Sequence, residues 1–127
     1  MQGRILHHYS EIAGKTKFFV VLNHAWPAPD NRIVYAFLTS NVERVKRLSE
    51  GRSPVVILPA GSYAFCTLDT AIDLTQILDE AFADVSGADS YKEVAALTGS
   101  HLQSVLAAVK RSTIITRRLK RRILGEE

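Results

Sequence analysis

The chain has 127 residues, of which 46% are hydrophobic and 23% are charged. These ordinary globular values exclude a wholly disordered chain and predict one domain with one core. The single cysteine, Cys66, excludes an internal disulfide and predicts a small buried thiol in a reducing, cytoplasmic setting. The apolar run before His7 is too short for a signal peptide, and no run approaches the ~20 residues of a membrane span, so we expect no membrane association.

The net charge of +3 is concentrated at the C-terminus. From Lys110 onward there are seven basic and two acidic residues, which gives +5 there and leaves −2 for the rest of the chain. A basic segment of this kind attracts polyanions or an acidic protein, and a solvated helix face is the alternative.

Apolar β-type runs dominate the first half of the chain. They predict strands at residues 3–9, 17–23 and 32–39, separated by a polar connection and by a loop with two prolines at 24–31. We expect 17–23 and 32–39 to be adjacent antiparallel strands, because strands that follow each other in sequence usually pair. The third strand ends in Thr39-Ser40-Asn41, which delivers hydroxyl and amide groups to the rim of a sheet.

The second half alternates between strand and helix patterns. A helix is predicted at 41–50, with Asn41 as N-cap and Gly51 as its stop, followed by strands at 54–59, 63–67 and 69–78. Helical spacing predicts helices at 90–97 and 101–110, while 113–122 fits either a helix or a frayed tail. The sequence therefore predicts an α+β fold in a single domain. A small antiparallel β-barrel occupies residues 3–78, with a short inserted helix, and a helical C-terminal extension with a basic tail occupies 79–127.

The order of these elements resembles the PemK/MazF-like toxins of bacterial toxin–antitoxin systems over about residues 3–82. The resemblance is carried by a strand after Gly3, a buried strand ending in Leu22-Asn23, the Thr39-Ser40-Asn41 strand end, an apolar strand at 55–58, a Gly-Ser-Tyr-x-Phe turn at 61–65, and a Ser/Thr-Asp segment that runs into Asp73-Leu74. It implies a homodimer that cleaves single-stranded RNA selectively without a metal, inhibits growth, and is neutralised by an acidic antitoxin.

The resemblance also implies roles for individual residues. Thr39 and Ser40 match the family's Thr-Ser pair at the end of the third strand, and Asp69 or Asp73 falls where members carry their aspartate. Two positions depart from the pattern. Lys17-Phe18 stands where members usually have Arg-Pro, and no arginine lies between Asp69 and Asp73, where members usually have one in the active site.

Metal-free RNA cleavage needs a base for the 2′-hydroxyl, an acid for the leaving oxygen, and a cation or N–H group for the phosphorane. A histidine titrates in the right range, although His7 and His8 point to opposite faces of one strand and cannot both enter one cleft. Tyr63 and Phe65 form either a stacking platform for bases or part of the core. The predicted catalytic residues are Thr39, Ser40, Asp69, Asp73 and His24, and the predicted RNA-binding residues are Lys15, Lys17, Trp26, Arg117, Arg118 and Arg121.

No metal or cofactor is expected, because the sequence has no zinc-ligand set and no Gly-rich nucleotide loop. Two further hypotheses stay open. The first is that the chain is a catalytically silent module of the same fold that binds nucleic acid or protein. The second is that it is an interaction domain whose helix at 102–109 forms a dimer or partner interface.

Overall fold

The structure is a computed structural model that describes residues 2–10, 15–25, 30–86 and 91–125, without the side chains of 8–10, 15, 16 and 86. Within these ranges the strands form one sheet in the order β4-β5-β3-β2-β1-β6, and every neighbouring pair is antiparallel. The elements are β1 (Arg4–Ser10), β2 (Lys15–Val21), β3 (Arg32–Thr39), α1 (Val42–Ser49), β4 (Val56–Leu58), β5 (Thr70–Ala81), α2 (Phe82–Ser86), β6 (Lys92–Ala96), α3 (Gly99–Arg111) and α4 (Arg117–Leu124).

The sheet is buried on both faces, which explains the continuous apolar runs of β2 and β3. On one face Val20 and Val34 pack with Val109 of α3 and Ile123 of α4. On the other face Phe19, Tyr35 and their neighbours pack with Val85 of α2. The predicted antiparallel pairing of β2 with β3 is confirmed, with Phe19 opposite Phe37 and Val21 opposite Tyr35.

The α+β class and the antiparallel sheet are confirmed, and the sheet is a curled half-barrel. Its two edges are β4 and β6, and no ladder joins them within the described ranges. The boundary predicted at residue 78 falls inside β5, which continues to Ala81.

The helix predicted at 90–97 is wrong, because Lys92–Ala96 is strand β6 at the edge of the sheet. This segment is rich in helix formers, but it pairs with the edge of β1 that β2 leaves unpaired, with Ile5 opposite Ala95 and His7 opposite Lys92. Pairing with β1 therefore overrides local propensity.

The short strand predicted at 63–67 is also wrong. Residues 59–67, called the strap below, form consecutive turns instead. Gly61 N–H donates to the Cys66 carbonyl at 2.7 Å, and Cys66 N–H donates to the Tyr63 carbonyl at 2.9 Å. These local bonds satisfy backbone groups that a strand would have paired with a neighbour.

The predicted helix at 41–50 is confirmed as α1, and Asn41 caps it by accepting a hydrogen bond from Arg44 N–H.

The basic tail is a helix, α4, that is anchored at its C-terminal end. Gln2 Nε2 donates to the Ile123 carbonyl at 2.7 Å, and Arg122 binds both carboxylate oxygens of Asp30 at 2.7 and 3.1 Å.

The apolar stripe of α3 faces the core of its own chain. Val105, Ala108 and Val109 are buried, and Leu102 and Leu106 pack against the same cluster. The stripe is therefore not exposed to a partner. None of the helices in the described ranges combines the length and the apolarity that crossing a membrane requires.

Candidate functional site

A cleft of about 330 Å³ opens at the rim of the sheet where β2 begins and β3 ends. The β2–β3 register, continued by two residues from Phe19 and Phe37, places Lys17 opposite Thr39, and Thr39 lies opposite Ala71 of β5. Antiparallel partners project to the same side of a sheet, so the register brings these side chains together. The lining residues of this rim cleft are Lys17, Phe18, Leu38, Thr39, Ser40, Phe65, Thr67, Leu68 and Thr70.

One wall of the rim cleft is polar and cationic. Thr39 Oγ1 accepts a hydrogen bond from Asn41 N–H at 3.1 Å, which leaves the hydroxyl hydrogen for a ligand oxygen. Ser40 is exposed and precedes Asn41, the N-cap of α1, and the N-terminus of that helix carries partial positive charge. Lys17 Nζ lies 5.2 Å from the centre of the Phe37 ring, which holds the ammonium group over an aromatic face.

The other wall is apolar, and it is formed by Phe18 of β2, Leu38 of β3, Phe65 of the strap and Leu68. The Phe65 ring stacks on Phe18 at 4.8 Å and on Tyr63 at 5.8 Å. Leu68 follows the strap with 62% of its surface exposed. The Tyr63 hydroxyl accepts from Thr98 N–H at 2.9 Å and lies 2.7 Å from His101 Nδ1, so the strap is fixed to the start of α3.

The two candidate aspartates have different surroundings. Asp69 is exposed beside the cleft residues Leu68 and Thr70, and its Oδ1 accepts from Ala60 N–H at 2.8 Å. Asp73 is 7% exposed, and its Oδ1 accepts from both the backbone N–H and the hydroxyl of Thr75. Neither aspartate is among the residues that line the rim cleft. Asp69 is the exposed one of the two, and it lies in the chain between the lining residues Leu68 and Thr70.

His24 lies at the far end of the sheet. Its backbone N–H donates to the Arg122 carbonyl at 2.9 Å, and its ring packs against Gly125 at the end of α4. Arg32, which starts β3 at that end, is separated from Thr39 by seven residue steps, or roughly 23 Å of strand. The structure does not bring His24 to the rim cleft.

The basic residues of α4 divide into anchoring and exposed groups. Arg122 binds Asp30, and Lys120 Nζ donates to the carbonyls of Lys110 and Ser112 at the end of α3. The predicted RNA-binding residues Arg117, Arg118 and Arg121 are exposed. Arg118 lies 3.9 Å from Asp79, and Arg117 and Arg121 line a groove of about 680 Å³ with Lys110 and Lys120.

The remaining candidates are at other positions or are not described. The His7 ring packs on Phe18 at 4.8 Å but does not line the rim cleft, and its buried Nδ1 has no hydrogen-bond partner among the described residues. Trp26 lies outside the described residues. Lys15 begins β2, and its side chain is outside the described part as well.

Four ionisable side chains of the described residues have displaced pKa values, and all four lie away from the rim cleft. The Arg122 guanidinium hydrogen-bonded to Asp30 lowers the pKa of that carboxyl, and the same hydrogen bond raises the pKa of Arg122. Burial raises the pKa of Tyr35, with a further contribution from Glu80, and burial together with Glu93 raises that of Tyr91. These shifts belong to the core and to the α4 anchor.

Sequence reasoning missed Leu68 and Thr70 as lining residues. The available signal was weak, because an apolar residue between Thr67 and Asp69 in a turn-rich stretch is equally typical of a core anchor.

Within the described ranges, no group of three or more His, Cys, Asp and Glu side chains is placed to hold a metal ion. In comparisons with known proteins, no family model and no curated protein matches the chain.

Proposed function

We propose that this chain is a PemK/MazF-like toxin whose rim cleft binds single-stranded RNA and cleaves it without a metal. The observation that carries the proposal is the convergence of Lys17, Thr39 and Ser40 in one cleft at the strand end. An ammonium group and two hydroxyls are suited to the oxygens of a phosphodiester. Lys17 also provides the positive charge that the family pattern assigns to an arginine.

The proposed reaction is attack of the ribose 2′-oxygen on the neighbouring phosphorus. Asp69 accepts the 2′-hydroxyl proton, the bond from phosphorus to the 5′-oxygen breaks, and the products are a cyclic phosphate and a free 5′-hydroxyl. Lys17 and the Thr39 hydroxyl stabilise the extra negative charge of the phosphorane. The 5′-oxygen leaves with a proton from Lys17 or from water.

The proposed partners extend beyond RNA. The exposed arginines of α4 and the groove beside them have the charge to bind RNA phosphates outside the cleft or an acidic antitoxin. We propose a homodimer on the strength of the family resemblance.

A second candidate function is supported by the composition of the cleft itself. Among the described lining residues there is one amine and there are four hydroxyls, but no carboxylate and no imidazole. These side chains can bind a phosphate backbone, but none of them is the carboxylate or imidazole that would act as a general base in the reaction. A catalytically silent RNA-binding module of the same fold would have this arrangement.

Incubation of the purified protein with a mixed pool of single-stranded RNA in EDTA distinguishes the two functions. Cutting that is lost in Thr39→Ala supports the ribonuclease. Binding without cutting supports the silent module. If the protein neither binds nor cuts the pool, both candidate functions are wrong.

A further inference from the structure

The rim cleft has two chemically different walls, and the proposed function uses only one of them. Lys17, Thr39 and Ser40 form the polar wall, while Phe18, Phe65 and Leu68 form the apolar wall. A phosphate alone would contact the first wall and leave the second in water. A nucleotide has an anionic group and a flat, largely apolar base, and so it complements both walls.

Leu68 is the most exposed large hydrophobic side chain in the described part of the chain. A single exposed leucine is ordinary on a protein surface. Leu68, however, lines the same cleft as the stacked Phe18–Phe65 pair, so it adds apolar surface to that cleft. The only other exposed large hydrophobic residue in the described ranges is Val94 on β6, at 37%.

The apolar wall is held in place before any ligand arrives. Asp69 Oδ1 accepts from Ala60 N–H, and Thr70 Oγ1 donates to the Leu68 carbonyl at 3.0 Å, which together restrain the backbone on the C-terminal side of Leu68. The Tyr63 hydroxyl fixes the strap to α3 through Thr98 and His101. A preorganised wall loses little conformational entropy when it binds a ligand.

We infer that the wall formed by Phe65 and Leu68 is a base-binding subsite, which takes the unpaired base of the nucleotide whose phosphate lies against Lys17 and Thr39. This inference rests on the proposed RNA binding and adds the requirement for a base. Paired bases are stacked inside a duplex and cannot reach the wall, so the subsite selects single strands.

The test compares two probes on the full chain: a labelled oligouridine and an abasic ribose-phosphate oligomer of the same length. Wild type should bind the oligouridine more tightly, because only that probe carries bases. Leu68→Ala and Phe65→Leu should lower affinity for the oligouridine about fivefold or more and leave the abasic affinity unchanged, since in this proposal both side chains make apolar contact with the base alone. Lys17→Met should weaken both probes by the same factor.

Val94→Ala is the matched control for removal of an exposed apolar side chain, and it should leave both affinities unchanged. Equal binding of the two probes by wild type overturns the base subsite and leaves RNA binding intact. The base subsite is also overturned if Leu68→Ala prefers the oligouridine over the abasic oligomer as strongly as wild type does. If wild type binds neither probe, the proposed function and the subsite both fail. Circular dichroism on Phe65→Leu separates a folding defect from a binding defect, and Leu68→Ala, an exposed substitution, gives the decisive result.

Discussion

The β2–β3 register, continued two residues past Phe19 and Phe37, places Lys17 opposite Thr39, although 22 positions separate them in the chain. Thr39 is the last residue of β3 and Lys17 is the third residue of β2, and both lie two positions beyond the Phe19–Phe37 pair. A cation and a hydroxyl held by two paired strands are positioned more rigidly than two side chains on loops. This pair is the centre of the proposed phosphate site.

The two aspartates should respond differently to removal of their charge. Asp69→Asn keeps an oxygen for Ala60 N–H but removes the proposed base, so RNA cutting should fall by about 100-fold or more. Asp73→Asn keeps an acceptor for Thr75 and should cost at most about 1–3 kcal/mol of folding free energy. Cutting per folded molecule should then stay near the wild-type rate. Gel-based cleavage rates and urea unfolding of both variants provide the measurement, and the opposite ranking would assign the base to Asp73.

Gly125 ends α4 with a positive φ of 73°, and a Cβ there would lie 2.6 Å from the His24 ring. Gly51 has nearly the same φ, 72°, with open space around it. Gly51→Ala should therefore cost only the left-handed backbone energy of about 1–2 kcal/mol, and Gly125→Ala should cost clearly more. Urea unfolding measures both.

The double variant His24→Ala with Gly125→Ala is the control for that clash. Removing the ring should bring the cost of the Gly125 substitution down to the Gly51 level. If Gly125→Ala is no more harmful than Gly51→Ala, His24 does not pack against α4, and a role for this histidine elsewhere becomes open again.

The Asp30–Arg122 pair should make the anchor of α4 sensitive to acid. Arg122 lowers the pKa of Asp30 in the folded state, so the pair stabilises the fold above the unfolded pKa of about 3.9, and this contribution is lost as the pH falls through the lower folded value. Since Asp30 is 45% exposed, screening limits the contribution to about 0.5–1 kcal/mol.

Asp30→Asn should therefore lower the free energy of unfolding by about 0.5–1 kcal/mol at pH 7. It should have no effect at a pH below the folded-state pKa of Asp30, where the carboxyl is protonated in both states. Asp84→Asn, an exposed change on α2, is the control and should have little effect at either pH. An Asp30→Asn cost that is the same in acid and at pH 7 would show that the carboxylate charge does not stabilise the anchor.

The exposed arginines of α4 should set the salt dependence of RNA binding if they neutralise phosphates. Deleting residues 113–127 is a poor test, because it also removes Ile115 and Ile123 from the core. A triple variant with glutamine at Arg117, Arg118 and Arg121 keeps those anchors. It should lower affinity and reduce the log–log salt slope by about 0.7 for each phosphate that is no longer neutralised.

The matched control replaces three exposed cations of α1 with glutamine, at Arg44, Lys46 and Arg47. Titration of labelled single-stranded RNA at three salt concentrations measures the slopes. If the α4 variant has the wild-type slope, its arginines do not bind RNA, and docking of an acidic protein becomes the remaining role for the groove.

Local patterns predicted the parts of the fold that local chemistry decides. The apolar runs of β2 and β3 gave their pairing, and Asn41 gave the start of α1. That pairing also contains the Lys17–Thr39 relationship, because register fixes which residues meet at the strand ends. The edge strand β6 was missed, since Lys92–Ala96 favours a helix in isolation and becomes a strand only through β1.

The candidate site was predictable in part for the same reason. Thr39, Ser40 and Lys17 follow from strand ends, whereas the exposure of Leu68 depends on how the strap turns. The hydrogen bonds from Thr75 to the Asp73 carboxylate could be predicted from local sequence, because an aspartate commonly accepts a hydrogen bond from the backbone two residues later. The position of His24 against α4 depends on packing between segments about 100 residues apart and has no signature in sequence.

The most direct test of RNA binding in the rim cleft is the affinity of labelled single-stranded RNA for Lys17→Met compared with Lys46→Met. Lys46 is 52% exposed on α1 and outside the rim cleft, so both variants lack one ammonium group and only one lacks it in the proposed phosphate site. We expect Lys17→Met to bind about tenfold or more weakly, because it can no longer make a charge-assisted hydrogen bond to the phosphate, and Lys46→Met to stay within about twofold of wild type. Equal affinities for the two variants would contradict RNA binding in the rim cleft.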